Sequence, residues 1–486
     1  MRPFPRGANF RRVRRVLLVL VVALAGCGGV PRGPLKSTLA FFPEDAPVLV
    51  VVDTDTGSDQ HRALRRITRR FPLSSQLLPQ LQDPELTPVL GNPAVIGAPD
   101  PRALSDRRKL VVAIRPRHPE RLSDLRRRWV ESGRSTLVRQ EAGFRILRDR
   151  SGDFNAFDGH TLVLSGSRPL LSNALRRGEK GKGFDADRFG EALEGLRGDS
   201  LLAVRMDAEA LLAASPPGPR AQALPFFAEA RTLGAKLSVR SGSLQARFRM
   251  RTEDSVDSAD LPLAKGSASP PAVVRPGELG LGVRDPGQLL RFLRRAGAGL
   301  GSPRFEERVG IEFTRDFVKQ LRGDAAVSFV PGGGYALRAE VRDPAAMERT
   351  LATIARRAPD AARGLERDVI SITPPRHGGG VYLLARIGDD AAFGLFGNRL
   401  VFADSARRVR AMAIAPARRV PRARGALVLT AKPEQLRSAF VRQFAPAGGL
   451  GGLVSPSIFL RPLGRLDASV QAESDGLTGR VTQRFD

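Results

Sequence analysis

The stretch that decides the fold is APVLVVVDTDTGSDQHRALRRITRRFP, residues 46–72. It begins with an unbroken apolar run, Val48 to Val52, which is typical of a β-strand buried on both faces. A short corner rich in Asp, Thr and Ser follows, and then a segment rich in Leu and Arg. This order predicts a strand, a turn and an amphipathic helix.

The same order of strand, turn and helix recurs in ELGLGVRDPGQLLRFLRRAG, residues 278–297. Four further pairs of similar segments follow one another in the same order along the chain. They are 91–129 with 323–355, 158–175 with 396–412, 198–214 with 424–440, and 235–251 with 464–485. Matches that keep one order indicate a tandem duplication.

The duplication predicts two homologous domains, residues 41–252 and 272–486, each of about 200 residues and so within the usual size of a domain. Between them, EDSVDSADLPLAKGSASPP (253–271) is polar and lacks periodicity, as expected of a linker. Residues 27–40 read as a spacer in front of the first domain.

Tight turns predict antiparallel pairing within each domain. Asp158-Gly159 and Ser241-Gly242-Ser243 both stand between strand-like runs, which is a hairpin signal. The helices combine one apolar stripe with one charged face, as in Leu170, Leu171, Ala174 and Leu175. We therefore expect an α+β fold, two tandem homologous domains in which a mainly antiparallel sheet carries helices on one face. A doubly wound parallel sheet is the alternative.

The amino terminus has the three parts of an export signal. Six arginines without an acidic residue precede a ten-residue apolar run, Val16 to Ala25, which is too short to span a bilayer. Small residues close the segment. We predict a signal peptide over residues 1–26, and the arginine pairs leave both the general secretory route and the twin-arginine route open.

The end of this segment, Leu24-Ala25-Gly26-Cys27, resembles the lipobox of bacterial lipoproteins. That resemblance implies cleavage before Cys27 and acylation of its thiol, which places the protein on the outer face of the cell membrane. Cys27 is the only cysteine of the chain. Lipidation therefore leaves no thiol for a disulfide or for nucleophilic catalysis.

The charge of the chain favours an anionic surface as partner over nucleic acid. The formal net charge of +28 falls to +22 when the six arginines of residues 1–26 are removed, and only eight of the 78 basic residues are lysines. One Trp and two Tyr leave few rings on which bases could stack. We expect attraction to anionic lipid head groups or wall polymers, together with an unknown envelope protein partner.

No coherent metal, cofactor or catalytic set emerges from the sequence. Asp53, Asp55 and Asp59 look like the start of a calcium loop, but an EF-hand requires Glu at the position held by Leu64. A helix capped by Ser58 or Asp59 explains the corner better. The four histidines do not occur at ligand spacing; they are His61, His118, His160 and His377.

Three glycine-rich stretches also have ordinary explanations. GAGLG (297–301) and GGLGG (448–452) follow helices, so they read as helix ends and loops rather than as phosphate-binding turns. PGGG (331–334) lies between two strand-like runs and reads as a hairpin turn. We predict no catalytic residue, no cofactor and no metal ligand.

Residues 41–72 resemble the opening of a domain-of-unknown-function family of exported actinobacterial lipoproteins. The resemblance rests on Pro43 and Asp45, the Val48–Val52 run, Asp53 and Asp55, and Phe71-Pro72. The family has no established reaction, so the resemblance implies an exported location and no catalytic residue.

These observations favour an uncharacterised, lipid-anchored envelope protein that acts as a non-enzymatic binding or assembly module. A carrier of a lipid or other apolar ligand in a sheet-lined cavity is the first alternative. An envelope hydrolase whose residues meet only in three dimensions is the second.

Overall fold

The computed structural model describes most of the chain after residue 31. The described residues are 32–71, 85, 88–99, 101–214, 219–275, 278–297, 303–330, 333–363, 369–375, 380–386, 390–437 and 460–486. They form an α+β fold with a large antiparallel sheet of 20 strands and a separate two-stranded ribbon. The predicted fold class is confirmed at this level, whereas a division into two tandem homologous domains is not confirmed by this sheet.

The chain divides into two compact units, each described here by itself. Unit 1 comprises the described residues of Met1–Pro216, with Arg231–Arg251 and Phe485–Asp486. Unit 2 comprises those of Pro217–Ala230 and Thr252–Arg484.

The elements of unit 1 are ten strands and six α-helices among its described residues. The strands are β1 Val48–Val52, β2 Leu90–Ala98, β3 Val111–Pro116, β4 Ser135–Glu141, β5 Phe144–Asp149, β6 Phe154–Phe157, β7 Leu162–Ser165, β8 Leu202–Asp207, β9 Ala230–Arg240 and β10 Ser243–Thr252. The helices are α1 Arg32–Leu39, α2 Asp59–Thr68, α3 Pro119–Glu131, α4 Arg168–Lys180, α5 Ala186–Ala192 and α6 Ala208–Ala214, with 3₁₀ turns at Pro101–Ser105 and Arg107–Lys109.

The elements of unit 2 follow a similar succession. Its helices are α7 Pro219–Gln222, α8 Pro225–Ala228, α9 Pro286–Arg295, α10 Pro303–Val309, α11 Pro344–Arg363 and α12 Ala406–Ile414, with 3₁₀ turns at Ser258–Asp260 and Val318–Gln320 and a π-helical turn at Phe313–Phe317. Its strands are β11 Pro271–Ala272, β12 Leu279–Arg284, β13 Leu321–Phe329, β14 Tyr335–Val341, β15 Val369–Thr373, β16 Val381–Arg386, β17 Ala391–Phe396, β18 Arg399–Ala403, β19 Arg418–Arg419, β20 Leu427–Ala431, β21 Leu463–Glu473 and β22 Gly476–Phe485.

Strand pairing follows the same order in the two units. In unit 1 the antiparallel order is β4-β5-β6-β7-β3-β2-β1-β8-β9. In unit 2 it is β15-β16-β17-β18-β14-β13-β12-β20-β21. Each order places the strand of the opening segment, β1 or β12, inside the sheet with a partner on both sides.

The local predictions for the opening segments are confirmed. Strand β1 leads into α2, where the Ser58 side chain accepts a hydrogen bond from the His61 N–H. In unit 2, β12 leads into α9, where Asp285 caps the helix by accepting from the Gln288 N–H. The turn at Asp158-Gly159 joins β6 and β7 as a hairpin, and Gly159 adopts a φ of +95°, which suits glycine.

The prediction that helices cover only one face of each sheet is wrong. Consecutive strand residues point to opposite faces, yet Leu162 of β7 packs with α3 while its neighbour Val163 packs with α4. In unit 2, Leu400 of β18 packs with α11 and Val401 packs with α12. The inner strands are therefore covered on both sides, as their continuous apolar runs require.

The segment predicted to be a linker, residues 253–271, packs into unit 2. Leu261 is fully buried. The Gln288 amide of α9 donates to the carbonyl oxygens of Ser258 at 2.7 Å, Leu261 at 3.1 Å and Leu263 at 3.0 Å. One side chain thus holds several turns of this irregular segment against a helix.

Candidate functional site

The corner after β1 contains a buried carboxyl group. Asp53 is 1% exposed, and its N–H donates to the Leu201 carbonyl oxygen at 3.1 Å. The Asn92 amide donates to Asp53 Oδ1 at 3.0 Å, whereas Oδ2 has no hydrogen-bond partner among the described residues. Burial raises the pKa of Asp53 from 3.8 to about 8; the Asn92 hydrogen bond lowers this pKa and the Asp199 charge raises it. Asp53 is therefore mainly protonated at neutral pH.

The three aspartates of this corner do not converge on one site. Asp55 forms an ion pair with Arg117 at 2.8 Å, and Asp59 in the first turn of α2 pairs with Arg62. Within the described ranges, no group of three or more His, Cys, Asp and Glu side chains could hold a metal ion. The prediction that Ser58 caps the helix after this corner is confirmed.

Three of the four histidines stand in different elements of unit 1. His61 is buried in α2, and His118 stands at the N-cap of α3 without capping it through its side chain. His160 is exposed in the turn between β6 and β7, where its N–H donates to Asp158 Oδ1 at 2.7 Å. This agrees with its predicted role as a turn residue, and His377 lies outside the described residues.

A cleft of unit 1 opens beside α5. It has a volume of about 630 Å³, within the range of ligand pockets. Its lining combines side chains from α1, β1, α5 and β8, brought together from distant parts of the sequence. The apolar lining residues are Leu35, Val51, Ala186, Phe189, Leu193 and Ala203.

The polar part of this lining is mainly acidic, in contrast to the basic chain as a whole. It contains Asp187, Glu191, Glu194 and Asp199, with Lys236 as the single cation. Glu194 pairs with Arg251 at 2.6 Å, and this hydrogen bond lowers the pKa of its carboxyl group. Asp187 and Glu191, one helical turn apart on α5, form no ion pair with another described residue.

Asp199 connects the cleft electrostatically with the buried corner. Burial lowers the pKa of Lys236, the Asp199 charge raises it, and the charge of Arg247 lowers it. The same Asp199 charge raises the pKa of Asp53. Lys236 Nζ also donates to the Gly198 carbonyl oxygen at 3.4 Å. The exposed Asp199 carboxylate thus raises the pKa of two groups, the buried acid Asp53 and the partly buried base Lys236.

The wall of the cleft depends on a close approach between α5 and β9. Asp185 is the N-cap of α5, and its side chain accepts a hydrogen bond from the Asp187 N–H at 3.0 Å. The helix buries Phe189 and Ala192. A Cβ atom at Gly234 of β9 would collide with the backbone oxygen of Ala192. Only glycine lets the strand come this near to the end of the helix.

Sequence reasoning did not identify the residues of this cleft. The available signal was a concentration of acidic residues over 185–199 in a chain that is otherwise rich in arginine. The predicted lipidation site lies elsewhere: Cys27 and the residues Leu24, Ala25 and Gly26 belong to the part of the chain outside the described residues. No helix in the described ranges is both long and apolar enough to cross a membrane.

No protein-family model matches the chain, and no curated protein matches it. Crystal form III of TP0453 aligns over 45% of this chain and 82% of its own, with 11% identity and a TM-score of 0.29. Crystal form IV aligns over 44% and 80%, with 11% identity and a TM-score of 0.28. TM-scores this low support no inference about this chain.

Proposed function

We propose that the protein is a lipid-anchored envelope protein that binds an amphiphilic ligand in the cleft of unit 1 without chemical conversion. Acylation at Cys27 would hold it on the outer face of the cell membrane, as the sequence predicts. The observation that carries the binding proposal is the cleft of about 630 Å³ beside α5. Its buried apolar side chains are called the floor, and its exposed carboxylates are called the rim.

The lining defines the chemical class of the ligand. The side chains of Val51, Phe189 and Ala203 offer apolar surface at the edge of the core, and burial of an alkyl group there gives about 0.8 kcal/mol per CH₂. Glu194 is neutralised by Arg251, which leaves three carboxylates beside the one ammonium of Lys236, and this balance favours a cationic group at the rim. The proposed ligand is therefore an apolar chain or ring that carries a positive charge.

A photo-crosslinking experiment tests this proposal on the full chain in lipid nanodiscs. The probes are two C12 chains that each carry a diazirine, one ending in an amine and the other in a carboxylate. We expect the amine to label residues 186–203, with competition from dodecyltrimethylammonium. Labelling of this segment by both probes to the same extent would contradict the proposal, and so would labelling that avoids the segment.

Matched charge variants sharpen the test. Asp187→Asn with Glu191→Gln removes two rim carboxylates that form no ion pair with another described residue. Each is worth roughly 0.7 kcal/mol, so that binding of the amine weakens by about tenfold. Glu120→Gln with Glu179→Gln removes two exposed carboxylates of α3 and α4 that do not line the cleft. This control variant should retain the labelling of the wild type.

The tandem duplication belongs to the same proposal. The common order of strand pairing in the two units supports descent from one ancestral domain, and so does the matched placement of α3 with α11 and of α4 with α12. Two copies of one domain on a single tether would allow one copy to specialise in ligand binding. The other would then be free to bind a different partner.

The hydrolase alternative is less well supported. A catalytic acid must reach its substrate within hydrogen-bonding distance, whereas Asp53, whose pKa is raised to about 8, is 1% exposed and does not line the cleft. Lys236 does line the cleft, but no nucleophile or acid among the described residues forms a hydrogen bond with its Nζ, which donates to the Gly198 carbonyl oxygen. Binding without conversion therefore accounts for more of the geometry.

A further inference from the structure

A second cleft, in unit 2, has the opposite charge. It has a volume of about 440 Å³ and lies where the ribbon of β11 and β19 meets β20 and β21. Its charged lining residues are all cations: Arg418, Arg419, Lys432 and Arg465. Its remaining lining is apolar apart from one threonine: Ala272, Val274, Pro416, Val420, Pro421 and Thr430.

One of these cations is fixed by an ion pair. Arg465 Nε contacts Asp467 Oδ1 at 2.7 Å, and Thr430 Oγ1 donates to the same oxygen at 2.7 Å. This carboxylate orients Arg465 and offsets its charge. Asp467 lines a smaller adjoining cleft that shares Pro421 with the first, so it is not part of the cationic lining itself.

The other three cations are not neutralised in this way. Arg418, Arg419 and Lys432 are exposed, and none of them forms an ion pair with another described residue. The Arg419 charge does reach Asp324, where it lowers a pKa that burial raises. Three cations that have no salt-bridge partner among the described residues lie around one cleft, and they repel each other unless an anion lies between them.

The backbone around these cations is ordered by contacts of its own. The Lys432 N–H donates to Gln435 Oε1 at 2.6 Å, and the buried Gln435 amide donates to the Arg275 carbonyl oxygen at 3.0 Å. Pairing of Ala272 with Arg418 and of Pro271 with Arg419 fixes the ribbon. The backbone positions of Arg418, Arg419 and Lys432 are therefore fixed by these contacts.

We infer that this cleft of unit 2 binds a phosphoryl group. A carboxylate is satisfied by a single bidentate arginine, whereas a phosphoryl group offers three acceptor oxygens and suits two guanidinium groups and an ammonium. The apolar lining beside the cations fits a phosphoryl group with an uncharged substituent. A free phosphate monoester and the monoester head group of phosphatidic acid share this chemistry. The inference does not rest on the ligand proposed for unit 1.

Titration calorimetry on the full chain in nanodiscs of neutral lipid tests the inference. The probes are inorganic phosphate, glycerol phosphate and dihexanoyl phosphatidic acid below its micellar concentration, with dihexanoyl phosphatidylcholine as the zwitterionic comparison. We expect the anionic phosphate probes to bind. Binding of dihexanoyl phosphatidic acid at least tenfold tighter than glycerol phosphate identifies a lipid head group as the source, and a smaller difference identifies a free phosphate ester.

The triple variant Arg418→Gln, Arg419→Gln, Lys432→Gln should weaken the binding of these probes at least tenfold. Its control is Arg304→Gln, Arg308→Gln, Lys319→Gln, which removes the same number and kind of exposed cations elsewhere in unit 2. All six positions are exposed, so both variants should fold. An equal loss in the control would show attraction to net charge alone and overturn the inference, as would the failure of every phosphate probe to bind the wild type.

Discussion

At the residue scale, Asp53 should make the stability of unit 1 depend on pH. The unfolded chain loses this proton near pH 3.8, whereas the folded chain keeps it up to about pH 8. Between these values the folded state binds more protons, so the free energy of unfolding falls as pH rises, by at most about 1.4 kcal/mol per pH unit. Above pH 8 this contribution no longer changes.

The variant Asp53→Asn should remove this dependence, because an amide of the same shape carries no charge at any pH. Urea unfolding at pH 5, 6.5 and 8 can be followed through Trp129, the only tryptophan, which lies in α3 of unit 1. We expect the wild-type midpoint to fall with pH and the variant midpoint to stay level. A wild-type midpoint that is constant from pH 5 to 8 would show that Asp53 ionises normally.

At the element scale, the contact between β9 and α5 should be sensitive to a single methyl group. Gly234→Ala places a Cβ atom against the Ala192 backbone oxygen, and overpacking of this kind costs about 1–3 kcal/mol. We expect a lower urea midpoint and a loss of crosslinking in the cleft of unit 1.

Gly190→Ala is the matched control, since a Cβ atom at this position of α5 meets nothing within 4 Å. Alanine favours a helix over glycine by about 1 kcal/mol, so this variant should be as stable as the wild type or slightly more stable. Equal destabilisation by both variants would mean that the close approach of β9 does not define the cleft wall.

The elements themselves could largely be predicted from the sequence. The Val48–Val52 run, the Ser58 cap and the turn at Asp158-Gly159 each depend on neighbours within a few residues, and local chemistry decides them. The side of the sheet on which a helix packs could not be predicted in this way, because the apolar stripe of α3 or α4 is equally suited to either face. Those placements follow from chain connections that periodicity does not encode.

The cleft of unit 1 could not be predicted for the same reason. Its lining runs from Leu35 to Lys236, and each of these residues has an ordinary local role in a helix, a strand or a turn. The buried state of Asp53 is also a product of tertiary structure, because its partners Asn92 and Leu201 are distant in sequence. The acidic character of residues 185–199 can be read from the sequence, but only the structure shows that four of these carboxylates line one cleft.

At the scale of the whole molecule, the account requires both clefts to act outside the cell on a tethered protein. The proposed tether depends on a single sulfur atom, because Cys27 is the only cysteine. Its replacement changes no charge and no other thiol, so any change in acylation can be assigned to this position.

The most direct test of this central claim is metabolic labelling with radioactive palmitate in cells that express the wild type or Cys27→Ala. We predict label in the wild type only, and a mature wild-type chain that lacks its first 26 residues by mass spectrometry. Equal label in the two proteins would contradict the account, as would recovery of the wild type from the cytosol with those residues intact.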